Sequence, residues 1–122
     1  MPKKSAPRTK KKDKPIPPPE VVQIGYVDYK IIGISSDEAE KLGVNGHFLK
    51  EKQEIHYDET LNRTALTNVI IHECIHAIID MHDLKFKNDD EEEKVVTSIS
   101  NGMTALFRAN PQLLKFIVEN LK

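Results

Sequence analysis

Apolar residues along this chain change their spacing repeatedly, and each change marks an element. From Val21 to Ile34 the chain reads VVQIGYVDYKIIGI, rich in β-branched and aromatic residues. That length predicts two strands turning around Asp28, or one bent strand. Ser35-Ser36-Asp37-Glu38 has the spacing of a capping box and predicts a short helix that Gly43 closes. Asn45-Gly46 is a turn signal, and His47 to Asp58 reads as one or two strands, with Glu54 to Asp58 roughly alternating. A central helix follows from about Leu61 to Leu84. Its Leu66, Val69, Ile70, Ile71, Ile75, Ile78 and Ile79 cover most of the circumference, which predicts burial on nearly all sides. Lys85 to Asp90 reads as a loop. A second helix begins within Asp89–Glu93, whose acids suit a helix N-terminus, and repeats apolar residues at Val96, Ile99, Met103 and Leu106. Asn110-Pro111 opens a final short helix, Gln112 to Leu121. The expected fold class is α+β: a small, mostly antiparallel sheet packed on the buried central helix, with two further helices after it.

Charge divides the chain at its proline run. Residues 1–14 carry seven basic side chains and one acid, and the rest of the 122 residues carry eleven basic and eighteen acidic ones, so +6 and −7 sum to the net −1. Pro15-Ile16-Pro17-Pro18-Pro19 then reads as a stiff spacer. Residues 1–19 are therefore expected to be a disordered basic, proline-rich tail, and residues 20–122 one folded domain. The tail offers a weak electrostatic contact to nucleic acid. It has no aromatic residue to stack on a base, and a solubilising leader is the plainer reading. Cys74 is the only cysteine, so no intrachain disulfide forms. No apolar run approaches the ~18 residues of a membrane span. A cytoplasmic protein without membrane contact is expected.

The chemistry lies in the central helix, in NVIIHECIHAIIDMH from Asn68 to His82. Residues i and i+4 share one helix face, so His72 and His76 can aim ring nitrogens at one metal ion. Glu73, one step from His72, falls beside such an ion rather than on it, where it can take a proton from water and pass it to a leaving group. Zn2+ suits two neutral imidazoles, a carboxylate and an open water position. Charged residues inside an apolar helix are costly unless paired or bound to metal, which favours this reading over idle polar residues. Three residues compete as third ligand. His82 stands ten beyond His72, but Ile79-Asp80-Met81 contains no glycine to break the helix and swing His82 back. Glu93 borders the apolar stripe of the second helix, three before Val96, and Glu92 lies three before Val95; Glu93 is the better placed. Asp80, four beyond His76, could orient an imidazole or form a surface ion pair. Cys74 faces away from the histidines as a core residue. His47 and His56 read as strand residues, with His56 or Tyr57 as remote candidates to stabilise a reaction intermediate.

His72-Glu73-Cys74-Ile75-His76, a preceding strand like Glu54-Ile55-His56-Tyr57 and a following Glu-initiated helix resemble a minimal gluzincin metallopeptidase. They are most similar to small phage and prophage zinc-peptidase-like proteins related to the ImmA/IrrE family. The resemblance covers roughly Gln53 to Leu121. It implies a zincin-like fold, hydrolysis of a peptide or protein substrate, and zinc held by His72, His76 and Glu93, with Glu73 as the catalytic residue. It also implies that a strand along the cleft pairs with the extended substrate. Cys74-Ile75 stands where ImmA-like proteins usually carry Leu-Gly. The rival expectation is a non-catalytic binding protein on the same scaffold, a phage accessory factor whose basic tail contacts nucleic acid or a protein partner.

Overall fold

A computed structural model describes residues 14–122; the first thirteen residues, and with them most of the expected tail, lie outside the described residues. The order is β1 (Val21–Ile24), β2 (Val27–Ile34), α1 (Ser36–Leu42), β3 (Gly46–Leu49), β4 (Glu54–Asp58), α2 (Arg63–Met81), α3 (Asp89–Ala109) and α4 (Pro111–Asn120). The fold is thus mixed α+β, four strands and four helices among the described residues.

The first apolar stretch is two strands, but they turn at Gly25-Tyr26 and not at Asp28. Ile24 pairs with Val27 across a two-residue loop. Gly25 takes φ 64° there and Tyr26 stays at negative φ, the pattern of a turn that needs glycine first. A Cβ on Gly25 would also overlap Met81 Sδ, so the turn packs directly on the end of α2. Helix α1 begins as expected, with Ser35 Oγ accepting from Glu38 N at 3.1 Å, and ends at Gly43.

The sheet order is β1-β2-β4-β3. Its outer pairings are antiparallel, as expected, but the central one, β2 with β4, is parallel. The path from β2 to β4 runs through α1 and β3, a crossover long enough to return the chain in the same direction. Ile24, Tyr29, Ile31 and Ile55 of the sheet form the core with Ala77 of α2, and Ile70 and Cys74 pack against it. Cys74 is therefore a core residue, as its position on the helix predicts. Burial pushes its thiol pKa up, with the Glu73 charge adding to the effect.

Helix α2 meets β1, β3 and β4 on one side and α3 on another. The expectation of burial on nearly all sides does not hold: Ile71 and Ile75 are half-buried and Ile78 is 41% exposed. Two neighbours cannot enclose a helix, so a third face of α2 stays open. Helix α3 starts at Asp89 with Asn88 Oδ1 capping Glu91 N at 2.8 Å, and α4 starts at Pro111.

Candidate metal centre

His72 and His76 stand one turn apart on the face of α2 that meets α3, their ring centroids 4.9 Å apart. The same face of α3 carries Glu93, Val96 and Ser100. Val96 and Ser100 are fully buried and seat the two helices. Glu93 then lies opposite the histidines: its Oε1 is 3.0 Å from His72 Nε2 and 2.9 Å from His76 Nε2. One ligand atom from each of the three lies within 4.8 Å of the others. The structure thus brings together the residues that the motif and its resemblance single out. His82 follows the last residue of α2, exposed and outside this cluster, because the helix runs on to Met81 without a break.

The remaining ring nitrogens are held as well. His76 Nδ1 lies 2.7 Å from Glu92 Oε2. Ser100 Oγ donates to Thr97 O at 3.2 Å and stands 3.4 Å from His72 Nδ1 as an acceptor. Glu92 and Ser100 are placed to accept a hydrogen bond from each Nδ1, in the tautomer that would turn both Nε2 lone pairs to a cation beside Glu93 Oε1. Three electron-rich atoms converging on one point repel unless a proton or a cation sits among them. In the metal-free protein His76 is drawn toward its protonated form. Burial works against its imidazolium, but hydrogen bonds to Glu92 and Glu93 outweigh that and raise its pKa. Glu93 is lowered correspondingly, its partial burial outweighed by His76 and His72. Ligand atoms on a tetrahedral zinc stand about 3.3 Å apart; the two N–O separations of 3.0 and 2.9 Å are near this, and two imidazole nitrogens with one carboxylate oxygen are a donor set that suits zinc.

Glu92, weighed from sequence as a possible ligand, is instead the group that orients His76. Asp80 does not do this: its carboxylate is turned to Lys50 Nζ at 3.1 Å. Ser100 was not singled out by sequence reasoning. Its signal was a polar residue inside the apolar stripe, between Val96 and Met103.

Glu73 sits beside the cluster, only 6% exposed, with no hydrogen-bond partner among the described residues. Burial pushes its pKa up to about 7; the His76 charge pulls it down and Glu93 pushes it further up. It lines a cavity of about 330 Å³ together with Gly46, Val69, His72, Glu93 and Thr97. Gly46 makes this fit possible, since a Cβ there would overlap Val69 Cγ1 and stand 3.0 Å from Glu73 Oε2.

Glu54 to Tyr57, the strand expected along the cleft, is the internal strand β4, with β2 on one side and β3 on the other. Its backbone groups are taken, so it cannot add a peptide. The edge strand beside the Glu73 cavity is β3, which contributes Gly46 to it. Asp58 N donates to Asn45 O at 2.8 Å; by alternation the backbone groups of His47 and Leu49 also face β4, and those of Gly46 and Phe48 face outward. His56 bonds to Glu54 Oε1 at 2.9 Å, and Tyr57 packs with the core against Gly33. His47 is exposed, and none of the three lines the Glu73 cavity.

In comparisons with known proteins, no family model matches the chain, and neither a curated protein nor a solved structure matches it. Among the described residues no helix is long and apolar enough to cross a membrane.

Proposed function

We propose that the protein is a zinc-dependent peptidase of the zincin type, similar to the ImmA/IrrE metallopeptidases. One observation carries this reading: His72 Nε2, His76 Nε2 and Glu93 Oε1 converge on one point while buried Glu73 stands next to that point without joining it. A structural metal site has no use for a poorly solvated carboxylate that opens on the same cavity without joining the ligands. A hydrolytic site does.

When bound, zinc supplies a Lewis acid that polarises the scissile carbonyl and acidifies water. His72, His76 and Glu93 would hold it, with Ser100 and Glu92 keeping the imidazoles in the ligating tautomer. Glu73 takes the proton from the attacking water and returns it to the departing amine. Its pKa near 7 is suited to carrying a proton in both directions, and a nearby cation favours its ionised, accepting form. The outward backbone groups of Gly46 and Phe48 on β3 pair with an extended peptide and lay it across the cavity. Neither closed face of β4 could do so.

The test uses purified protein loaded with zinc and a mixed library of internally quenched peptides. Wild type is expected to cleave, and Glu73→Gln to keep its zinc while losing about 10²–10⁴ in rate. Zinc retained by both proteins without cleavage by either would replace this reading with the non-catalytic one, a binding protein built on the same scaffold. Cleavage undiminished in Glu73→Gln would remove Glu73 from the chemistry.

A further inference from the structure

The cavity at Glu73 does not end there. It shares Asn45, Asn68 and Val69 with a larger groove of about 850 Å³, between the first turns of α2 and the second half of α3. Among the described residues no acid lines this groove. Its polar lining is Asn45, Asn62, Asn68, Asn101 and Arg108, with Thr64 and Thr104. The opposite end of the cleft, past His76 and Phe48, is lined by Asp80, Asp83, Asp89 and Glu92 with Lys85. The two ends therefore differ in sign.

Two of the four amides of the groove, Asn62 and Asn101, have their oxygens engaged and turn donors to it, while Asn68 engages its NH₂ and keeps its Oδ1 as an acceptor. Asn62 Oδ1 is occupied as the N-cap of α2, accepting from Ala65 N at 2.9 Å. Asn101 Oδ1 accepts from Asn68 Nδ2 at 3.0 Å, and the same Nδ2 bonds to Thr104 Oγ1 at 3.0 Å. Thr104 donates its own hydrogen to Ser100 O at 2.8 Å. What Asn62 and Asn101 have left is an NH₂ group each. Arg108 adds its fork of donors and makes no ion pair with any described residue. The N-terminus of the nineteen-residue α2 opens on the same space and adds partial positive charge. A groove with two amide NH₂ groups, a helix N-terminus and a guanidinium at its end, and no acid among the described residues that line it, recognises a carboxylate.

Position sets which carboxylate. Arg108 lies eight residues beyond Ser100, the residue that touches His72, or about 12 Å along α3. An extended peptide covers that span in three to four residues. A peptide paired antiparallel to β3, the more stable arrangement, runs from the Phe48 end toward Gly46 and on into the groove. Its C-terminal half therefore lies there.

We propose that this groove is a subsite for an acidic side chain, Asp or Glu, on the C-terminal side of the scissile bond, with Arg108 as its charge partner. The proposal deepens the peptidase reading and rests on it.

The full-length, zinc-loaded Glu73→Gln protein serves as a non-cleaving receptor for fluorescein-labelled decapeptide mixtures, read by anisotropy. One mixture carries Glu fixed in the C-terminal half, one carries Glu in the N-terminal half, and a control carries Gln at both. Glu in the C-terminal half is expected to tighten binding about tenfold over the control. Arg108→Gln in the same receptor should abolish that advantage, and Arg108→Glu should transfer it to a mixture carrying Lys there. Equal binding of Glu and Gln mixtures, a preference for Glu in the N-terminal half, a preference that survives Arg108→Glu, or no peptide binding at all would overturn the subsite. Cleavage by wild type is scored separately on an unbiased mixture. Cleavage without acid preference sinks the subsite alone, whereas selective binding without cleavage sinks the peptidase reading alone.

Discussion

Glu73 and Glu93 line one cavity with His72, Glu73 in a region floored by Gly46 of β3 and Glu93 on the open first turns of α3. Glu73 is 6% exposed, and burial lifts its pKa to about 7. The Glu93 side chain is 57% exposed; burial also works to raise its pKa, but two imidazole partners at 2.9 and 3.0 Å win and lower it. The same functional group is thereby prepared for two tasks. The proposed ligand role needs an anion that faces its partners, and Glu93 faces both imidazoles with its pKa lowered by them. The proposed proton carrier has to gain and lose a proton near neutral pH, which suits the poorly solvated position of Glu73. Burial decides the first environment, and direct imidazole contacts decide the second.

Exchanging the charge at Glu93 should break this contrast most severely. Glu93→Gln is expected to weaken zinc binding well beyond the ~10–100-fold that an outer orienting partner is worth, measured by competition with a chromogenic chelator. Wild-type affinity in that variant would remove Glu93 from the ligand set. The next effect belongs to Glu73 in metal-free protein and is read against pH. Between about pH 4.5 and 7 the folded protein holds a proton on Glu73 that the unfolded chain has released. The unfolded state then binds fewer protons, so stability falls as pH rises through this window and levels off above it. The full drop is about 3 kcal/mol. Urea unfolding of metal-free Glu73→Gln should lack it, and an identical pH dependence in both proteins would show that Glu73 ionises freely. Glu92→Gln keeps all three ligands and loosens only His76, so zinc affinity should fall ~10–100-fold. A loss as large as that of Glu93→Gln would make Glu92 a ligand instead. Ser100→Ala removes the longer, 3.4 Å contact to His72, and its expected loss is the smallest, about tenfold or less. A loss larger than that of Glu92→Gln would reverse the ranking of the two orienting groups.

Much of the fold was legible because its signals are local. Ser35 capping Glu38, the closure at Gly43 and proline opening the last helix all depend on residues within one turn of each other. The first hairpin was legible in kind but not in place. Both Gly25 and Asp28 are turn-compatible residues, and the choice between them follows from the packing of Gly25 under Met81, fifty-six residues later. Burial of α2 was overestimated because a run of isoleucines reports apolar surface, not how many neighbours arrive to cover it. The parallel pairing of β2 with β4 carries no local mark at all.

The site divides along the same line. The sequence by itself determined that His72 and His76 share a helix face with Glu73 beside them, since 3.6 residues per turn leaves no other arrangement once the helix forms. It favoured Glu93 over Glu92 from the apolar stripe but could not fix the choice, because adjacent residues on a helix point about 100° apart and only docking tells which points inward. The tertiary structure decided that Glu93 faces both Nε2 atoms, that Glu92 holds His76 from behind, that Lys50 draws Asp80 away, and that β3 owns the open edge. Each of these depends on how Val96 and Ser100 seat α3 on α2, or on which strands lie side by side, contacts between residues far apart in the chain that no local spacing encodes.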